Sequence, residues 1–468
     1  MVFGQSTGGQ RGENHRAMHF SRRDVLRLGG LCGLGLGLPD LLRARAGAAD
    51  TQSSSFGKAK RVIMLYLHGG HPQQETFDPK PDGPSAVRGE FGAIETSVAG
   101  LRLCEHLPQT AAIAGKLAVV RSISHPNANH VQAALAAQTG HAHPIELERL
   151  GDFPPSPNDF PPVGAVLDVV RPASGALPTW VRVGPLMRRN NGTVLHGQTP
   201  GLLGEPHASF AVDQPLTAPD VEVRAVDRNA ELSSIRLSGR RHLLHEFDTQ
   251  RRELEGTAAV RDFDLFYQKA FGLLASDQTR RAFALSQESP ATRKRYGMTE
   301  FGQRCLLARR LAEAGVPMVN VSYCHTPAGS WDTHSQNFRQ MKDLLAPTFD
   351  AAFSALVSDL SERGLLDETL VVVNAEFGRT PKINSSGGRD HWPWVYSLVL
   401  AGAGVRQGTV YGASDNSAAY PTANPHDPKD FVATIYHLLG VPPETMIHDL
   451  LRRPHQVVIG RPIDGILA

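Results

Sequence analysis

Six short apolar runs punctuate the chain, each ending in polar or glycine-rich sequence: residues 61–67, 117–122, 179–183, 317–323, 369–374 and 396–400. Apolar runs of this length, most of them rich in Val, Ile or Leu, predict buried strands. Between them lie stretches with helical character: 130–138, which is Ala-rich with Gly140 beyond its end, then 240–255, 263–274, 300–314, 337–362 and 429–439. Alternation of the two kinds predicts an α/β fold, a mostly parallel central sheet with helices on both faces. Residues 151–225 are rich in Pro and Gly, and the charged stretch 229–315 reads as a helical insertion. No internal repeat is present.

The polar residues gather where the strands should end. His68 follows the first run, and Asn127-Ala128-Asn129-His130 opens the first helix. Asp332 and His334 follow the run 317–323. Glu376, Phe377, Arg379, Asp390 and His391 follow the run 369–374. In a parallel sheet such positions converge on one edge, where α/β proteins bind ligands. Imidazole nitrogens and carboxylate oxygens suit zinc, manganese or iron. Taken singly, each residue has a plainer role as well. Asp390 could orient a structural His or ligate beside it, and Arg379 could end in a salt bridge or clamp a phosphate or sulfate oxygen. Gly69-Gly70 and Asp78-Pro79-Lys80 fit turns.

The 468 residues suffice for one large α/β domain or two ordinary ones. A net charge of +2, with no basic stripe among aromatics, gives no reason to expect a nucleic-acid partner. Twenty histidines raise the expectation of a metal site. The four cysteines, Cys32, Cys104, Cys305 and Cys324, form no CxxC pattern and are expected to be buried thiols. At the N-terminus, Arg22-Arg23 precedes the Gly/Leu stretch 28–38 and then Ala46-Gly47-Ala48. A charged region, a short apolar region and a small-residue cleavage site, in that order, predict a twin-arginine signal peptide over 1–48. The mature domain is then 49–468, periplasmic or extracellular, with no transmembrane anchor once the signal is removed.

The strings HGG…TFDPKP (68–81), NANHVQAALAAQTG (127–140), WDTH (331–334) and EFGRTPKI…GRDHWP (376–393) resemble domain-of-unknown-function family 1501. That family comprises exported bacterial proteins within the alkaline phosphatase and sulfatase superfamily. The resemblance spans the mature chain and implies an alkaline phosphatase-like core. It also implies a divalent metal (zinc, manganese, calcium or iron) and an anionic small-molecule or carbohydrate ester as substrate. Position by position, His68 stands where the superfamily has a metal-binding Asp, and His130 where it has its Ser, Thr or formylglycine nucleophile. Asp332 and His334 fall in its Asp/His loop, Glu376-Phe377 where it keeps an Asp-His pair, and His391 at its later His. The resemblance thus implies metal ligation by His68, Asp332, His334, Glu376, Asp390 and His391, with His130 and Arg379 in catalytic roles. The missing hydroxyl nucleophile and the Phe at position 377 leave two expectations. One is a metal-dependent hydrolase of sulfate or phosphate esters. The other is a non-catalytic ligand-binding or envelope-complex protein.

Overall fold

The computed structural model describes residues 55–226, 276–324 and 331–468. The signal-like segment 1–48 and the helical candidates 240–255 and 263–274 lie outside these residues. Eight strands form the main sheet: β1 Arg61–Leu67, β2 Leu117–Ile123, β3 Trp180–Val183, β4 Phe210–Val212, β5 Met318–Tyr323, β6 Thr369–Asn374, β7 Tyr396–Ala401 and β8 Thr409–Tyr411. Their order is β8-β2-β7-β6-β1-β5-β3-β4. β1 lies inside the sheet, parallel to both neighbours, with Leu65 opposite Val321 of β5 and Val373 of β6. Only β7 runs against its neighbours, β2 and β6; the remaining pairings are parallel. The protein is therefore α/β with a mostly parallel sheet, as its sequence leads one to expect.

Five helices matter to the packing: α1 His130–Thr139, α2 Val163–Val170, α3 Glu300–Ala314, α4 Ala346–Glu362 and α5 Pro428–Leu438. Side chains of β1 alternate between the two faces, as pleating requires. Ile63, Leu65 and Leu67 join Phe301 and Leu307 of α3 and Phe349 and Phe353 of α4. Val62 and Met64 join Val163 and Val166 of α2 and Phe431 and Ile435 of α5. Burial on both faces is the reason β1 and β6 are unbroken apolar runs. Each such side chain contributes roughly 1.5–3 kcal/mol on burial, and Leu65→Ala should cost about 2–5 kcal/mol. Although α3 ends the stretch expected to be an insertion, it packs in this core. The expected helix 337–362 is helical throughout but widens into a π segment at Met341–Leu345, just before Pro347. Proline lacks an N–H and its ring crowds the carbonyl four residues back; the wider turn relieves both effects. Cys104, Cys305 and Cys324 are free and buried. Among the described residues no helix is long and apolar enough to cross a membrane.

The antiparallel strand has a consequence for the site. The chain leaves β6 at Asn374 and re-enters the sheet through Tyr396 of β7 at the same edge, beside Ile123 at the end of β2. Residues 375–395 therefore never cross the sheet. They stay where β1, β5 and β6 also end.

Candidate metal centre

Local sequence fixes the position of each polar side chain here. Asn129 caps α1, its side chain accepting from the amides of Val131 and Gln132, a common way to satisfy the free N–H groups of a first turn. His130 is thus the first helical residue. At the other end, Gly140 closes the helix in the left-handed conformation at φ +76°. Asn374, the last residue of β6, donates to the carbonyl of Ala137 at 2.7 Å and ties α1 to the strand that leads to Glu376. Two close approaches need glycine. A Cβ on Gly69, at φ +108°, would lie 2.4 Å from the Asp332 amide nitrogen, and one on Gly388 would lie 2.0 Å from the His334 carbonyl oxygen.

The expected site residues do come together. Nδ1 of His130 lies 2.6 Å from Glu376 Oε1, which also accepts from the Gly69 amide at 2.8 Å. Nδ1 of His334 lies 2.7 Å from Asp390 Oδ1, and Nδ1 of His391 lies 2.8 Å from the Ala128 carbonyl oxygen. Carboxylates and carbonyls accept, so each Nδ1 carries the proton and each neutral ring presents a bare Nε2. The three Nε2 atoms face one point. They lie 3.3, 3.0 and 3.1 Å from Asp332 Oδ1, for His130, His334 and His391 in turn. The Nε2 atoms of His334 and His391 are 2.9 Å apart. Acceptors this close require a cation between them, either a metal ion or a proton on one of the rings. One atom each from His130, Asp332 and His391 falls within 4.8 Å of the other two, so these residues could hold a metal ion, and His334 extends the group.

His68 sits beside His130, ring centroids 6.2 Å apart. Neither of its buried ring nitrogens has a hydrogen-bond partner among the described residues. A buried, unpaired polar atom costs about 1–3 kcal/mol, so an orphaned imidazole fits a site built for a further ligand. Asp390 is exposed and meets His334 rather than its neighbour His391, so it orients a ring instead of pointing inward. Arg379 is fully buried. It donates to the carbonyls of Gly69, Gly70 and Arg389 and, at 2.6 Å, to Asp332 Oδ1. Those donors hold the loops and Asp332 together. A second arginine, Arg189, reaches Asp332 from the solvent side, Nη1 to Oδ2 at 3.5 Å. It lies in the turn-like sequence Arg188-Arg189-Asn190-Asn191-Gly192, where only the paired arginines hint at a site. Asp78 belongs elsewhere, paired with Lys80 and Arg121.

In the metal-free protein, protons on these rings take the place of the cation. Burial alone would raise the Asp332 pKa, but the nitrogens of His130, His334 and His391 and the charge of Arg379 hold it far below the carboxylate range. Burial would likewise raise Glu376, yet the hydrogen bond and charge of His130, with His68, bring it down to about 2. Burial lowers His68 and His391 to about 4, so both rings are neutral near pH 7. His334 is raised, mainly by its contact with Asp332. Phe377 is buried against the site, its ring 4.7 Å from those of His130 and His391.

Comparison with known proteins gives a family and a set of distant likenesses. A search of curated proteins finds no match. Among solved structures, the lipoteichoic acid synthase LtaP from Listeria monocytogenes aligns at 11% identity and TM-score 0.33, over 89% of this chain and 79% of that one. The phosphonate monoester hydrolase of Agrobacterium radiobacter aligns at 11% and 0.34, over 87% and 77%. A TAB5 alkaline phosphatase mutant with magnesium bound aligns at 9% and 0.36, over 78% and 96%. The family described as Protein of unknown function (DUF1501) matches residues 59–467, and the chain belongs to it.

Proposed function

We propose that this DUF1501 protein is an exported, metal-dependent hydrolase of sulfate or phosphate esters, with one divalent ion among His130, Asp332, His334 and His391. The support is the convergence of three Nε2 atoms, deprotonated by the acceptors on their Nδ1 atoms, upon one carboxylate oxygen. A set rich in imidazole favours zinc, manganese or iron over calcium, which prefers oxygen ligands. Such an ion would supply Lewis acidity and a water of lowered pKa.

The chain's own residues do the rest. Glu376, Asp390 and the Ala128 carbonyl keep protons on the three Nδ1 atoms and fix the ring orientations. His130 takes the place of a hydroxyl nucleophile, so water is the nucleophile assigned here. Arg189 is partly exposed beside Asp332 and is the cation we assign to the substrate's oxyanion, while Arg379 positions Asp332. The sequence over 1–48 supports export by the twin-arginine route. A second reading, a binding protein without turnover, is favoured by Phe377, which packs against two of the imidazoles.

Protein purified without chelator should carry a stoichiometric transition metal and turn over aryl sulfate or aryl phosphate esters. Metal without turnover of any ester would favour the binding protein, and absence of both would end the hydrolase reading.

A further inference from the structure

A second group of metal-type side chains lies in the Pro/Gly-rich segment and shares no residue with the first. His143, Asp159 and His196 each offer one atom, all within 4.8 Å of one another. Asp159 and His196 are buried, and His143 is half-buried. Nε2 of His196 lies 3.0 Å from the Phe153 carbonyl oxygen, an acceptor, so Nε2 bears the proton and Nδ1 is bare in the neutral ring. That bare Nδ1 lies 2.5 Å from Asp159 Oδ2 and 3.0 Å from His143 Nε2. A lone pair facing a carboxylate oxygen at this distance is repulsive unless a metal ion or a proton lies between them.

The surroundings hold these atoms in place. Asp159 Oδ2 also accepts from the Ser156 amide at 3.1 Å, and the Asp159 carbonyl accepts from the Leu202 amide at 3.0 Å. The His196 amide donates to the Val131 carbonyl, and its own carbonyl accepts from Gln138 Nε2. The Phe153 ring packs against both imidazoles, at 4.9 Å from His196 and 5.3 Å from His143. Two imidazoles and one carboxylate, with the outer ring reaching solvent, supply the donors of a three-ligand site with an open position, once Nδ1 and Oδ2 part from 2.5 Å to the roughly 3 Å that shared ligation needs.

We propose that His196 Nδ1, His143 Nε2 and Asp159 Oδ2 bind a second divalent transition metal of zinc type, independently of the strand-end centre. The competing arrangement is an imidazolium at His196 donating to Asp159 with no metal.

The test uses the full chain, stripped with chelator, dialysed against zinc and counted by elemental analysis. The variants His143→Ala, Asp159→Asn and His391→Ala are counted alongside it, with folding checked by circular dichroism. The expected result is that His143→Ala and Asp159→Asn each bind one equivalent fewer than the parent, whatever His391→Ala does. Because His143 is half-buried at the rim, its truncation should leave the fold intact. Folded His143→Ala and Asp159→Asn proteins with the parental zinc count would overturn the proposal. So would nitrogen NMR showing protons on both ring nitrogens of His196 in zinc-loaded protein. A loss in His391→Ala alone, with the other two variants at the parental count, overturns it as well.

Discussion

Replacing Glu376 by Gln tests whether the buried carboxylate tunes a ligand. Glu376 is fully buried, and its Oε1 accepts from His130 Nδ1 at 2.6 Å and from the Gly69 amide at 2.8 Å. Gln keeps the shape and one acceptor oxygen but removes the charge. The carboxyl stands at about 2 rather than 4.5 although burial pushes it the other way. That displacement corresponds to roughly 3 kcal/mol of net preference for the charged form, left after the opposing effect of burial. Carboxylates behind a ligating imidazole typically change metal affinity 10- to 100-fold, or about 1.4–2.7 kcal/mol. Zinc affinity should therefore fall by about 10- to 100-fold, measured by competition with a chromophoric chelator. A folded Glu376→Gln protein that binds zinc within twofold of the parent would refute the assignment of His130 as a ligand oriented by Glu376.

Other perturbations probe the frame and its charge. Arg379→Ala leaves Asp332 without its buried guanidinium and three carbonyls without a donor; it should cost about 3–5 kcal/mol in denaturant unfolding, and a loss under about 1 kcal/mol would contradict its positioning role. Gly69→Ala sets a Cβ 2.4 Å from the Asp332 amide at φ +108° and should destabilise by about 2 kcal/mol or more, visible as a lower melting temperature. For metal-free protein the pH dependence has a definite sign. His68 and His391 titrate near 4 when folded against 6.5 when unfolded, so the unfolded chain takes up protons first as pH falls. Their contribution is complete above about pH 6.5 and is lost toward pH 4, up to roughly 3 kcal/mol for the fully buried His68. Glu376 extends the loss from 4.5 toward 2. A denaturation midpoint unchanged between pH 7 and pH 4.5 would contradict the buried, neutral histidines.

The sequence made the sheet legible where burial is two-sided. β1 and β6 are continuous apolar runs because helices cover both their faces, and the ends of β1, β2, β5 and β6 could be placed within a residue or two. The short β4 and β8, three residues each at the edges of the sheet, carry too little apolar sequence to announce themselves. The direction of β7 was hidden as well, since 396–400 reads the same either way and only pairing reveals it. At the site, residue type and address were readable for His68, His130, Asp332, His334, Glu376 and His391, because strand ends converge whatever the loops do. Partners were not. Asp390 meets His334 from 56 positions away instead of its neighbour, and Arg379 turns inward to carbonyls that no sequence pattern names. Arg189 reaches Asp332 from a turn in a Pro/Gly-rich stretch, where packing rather than periodicity decides the path of the chain.

If the strand-end imidazoles surround a metal ion, anomalous diffraction from zinc-soaked crystals will locate it. A peak is expected at the zinc edge about 2.0–2.2 Å from Nε2 of His130, His334 and His391 and from a carboxylate oxygen of Asp332. Absence of a peak there in crystals that bind zinc elsewhere, with the Asp332 carboxylate still in hydrogen-bond contact with His334 and His391, would contradict it.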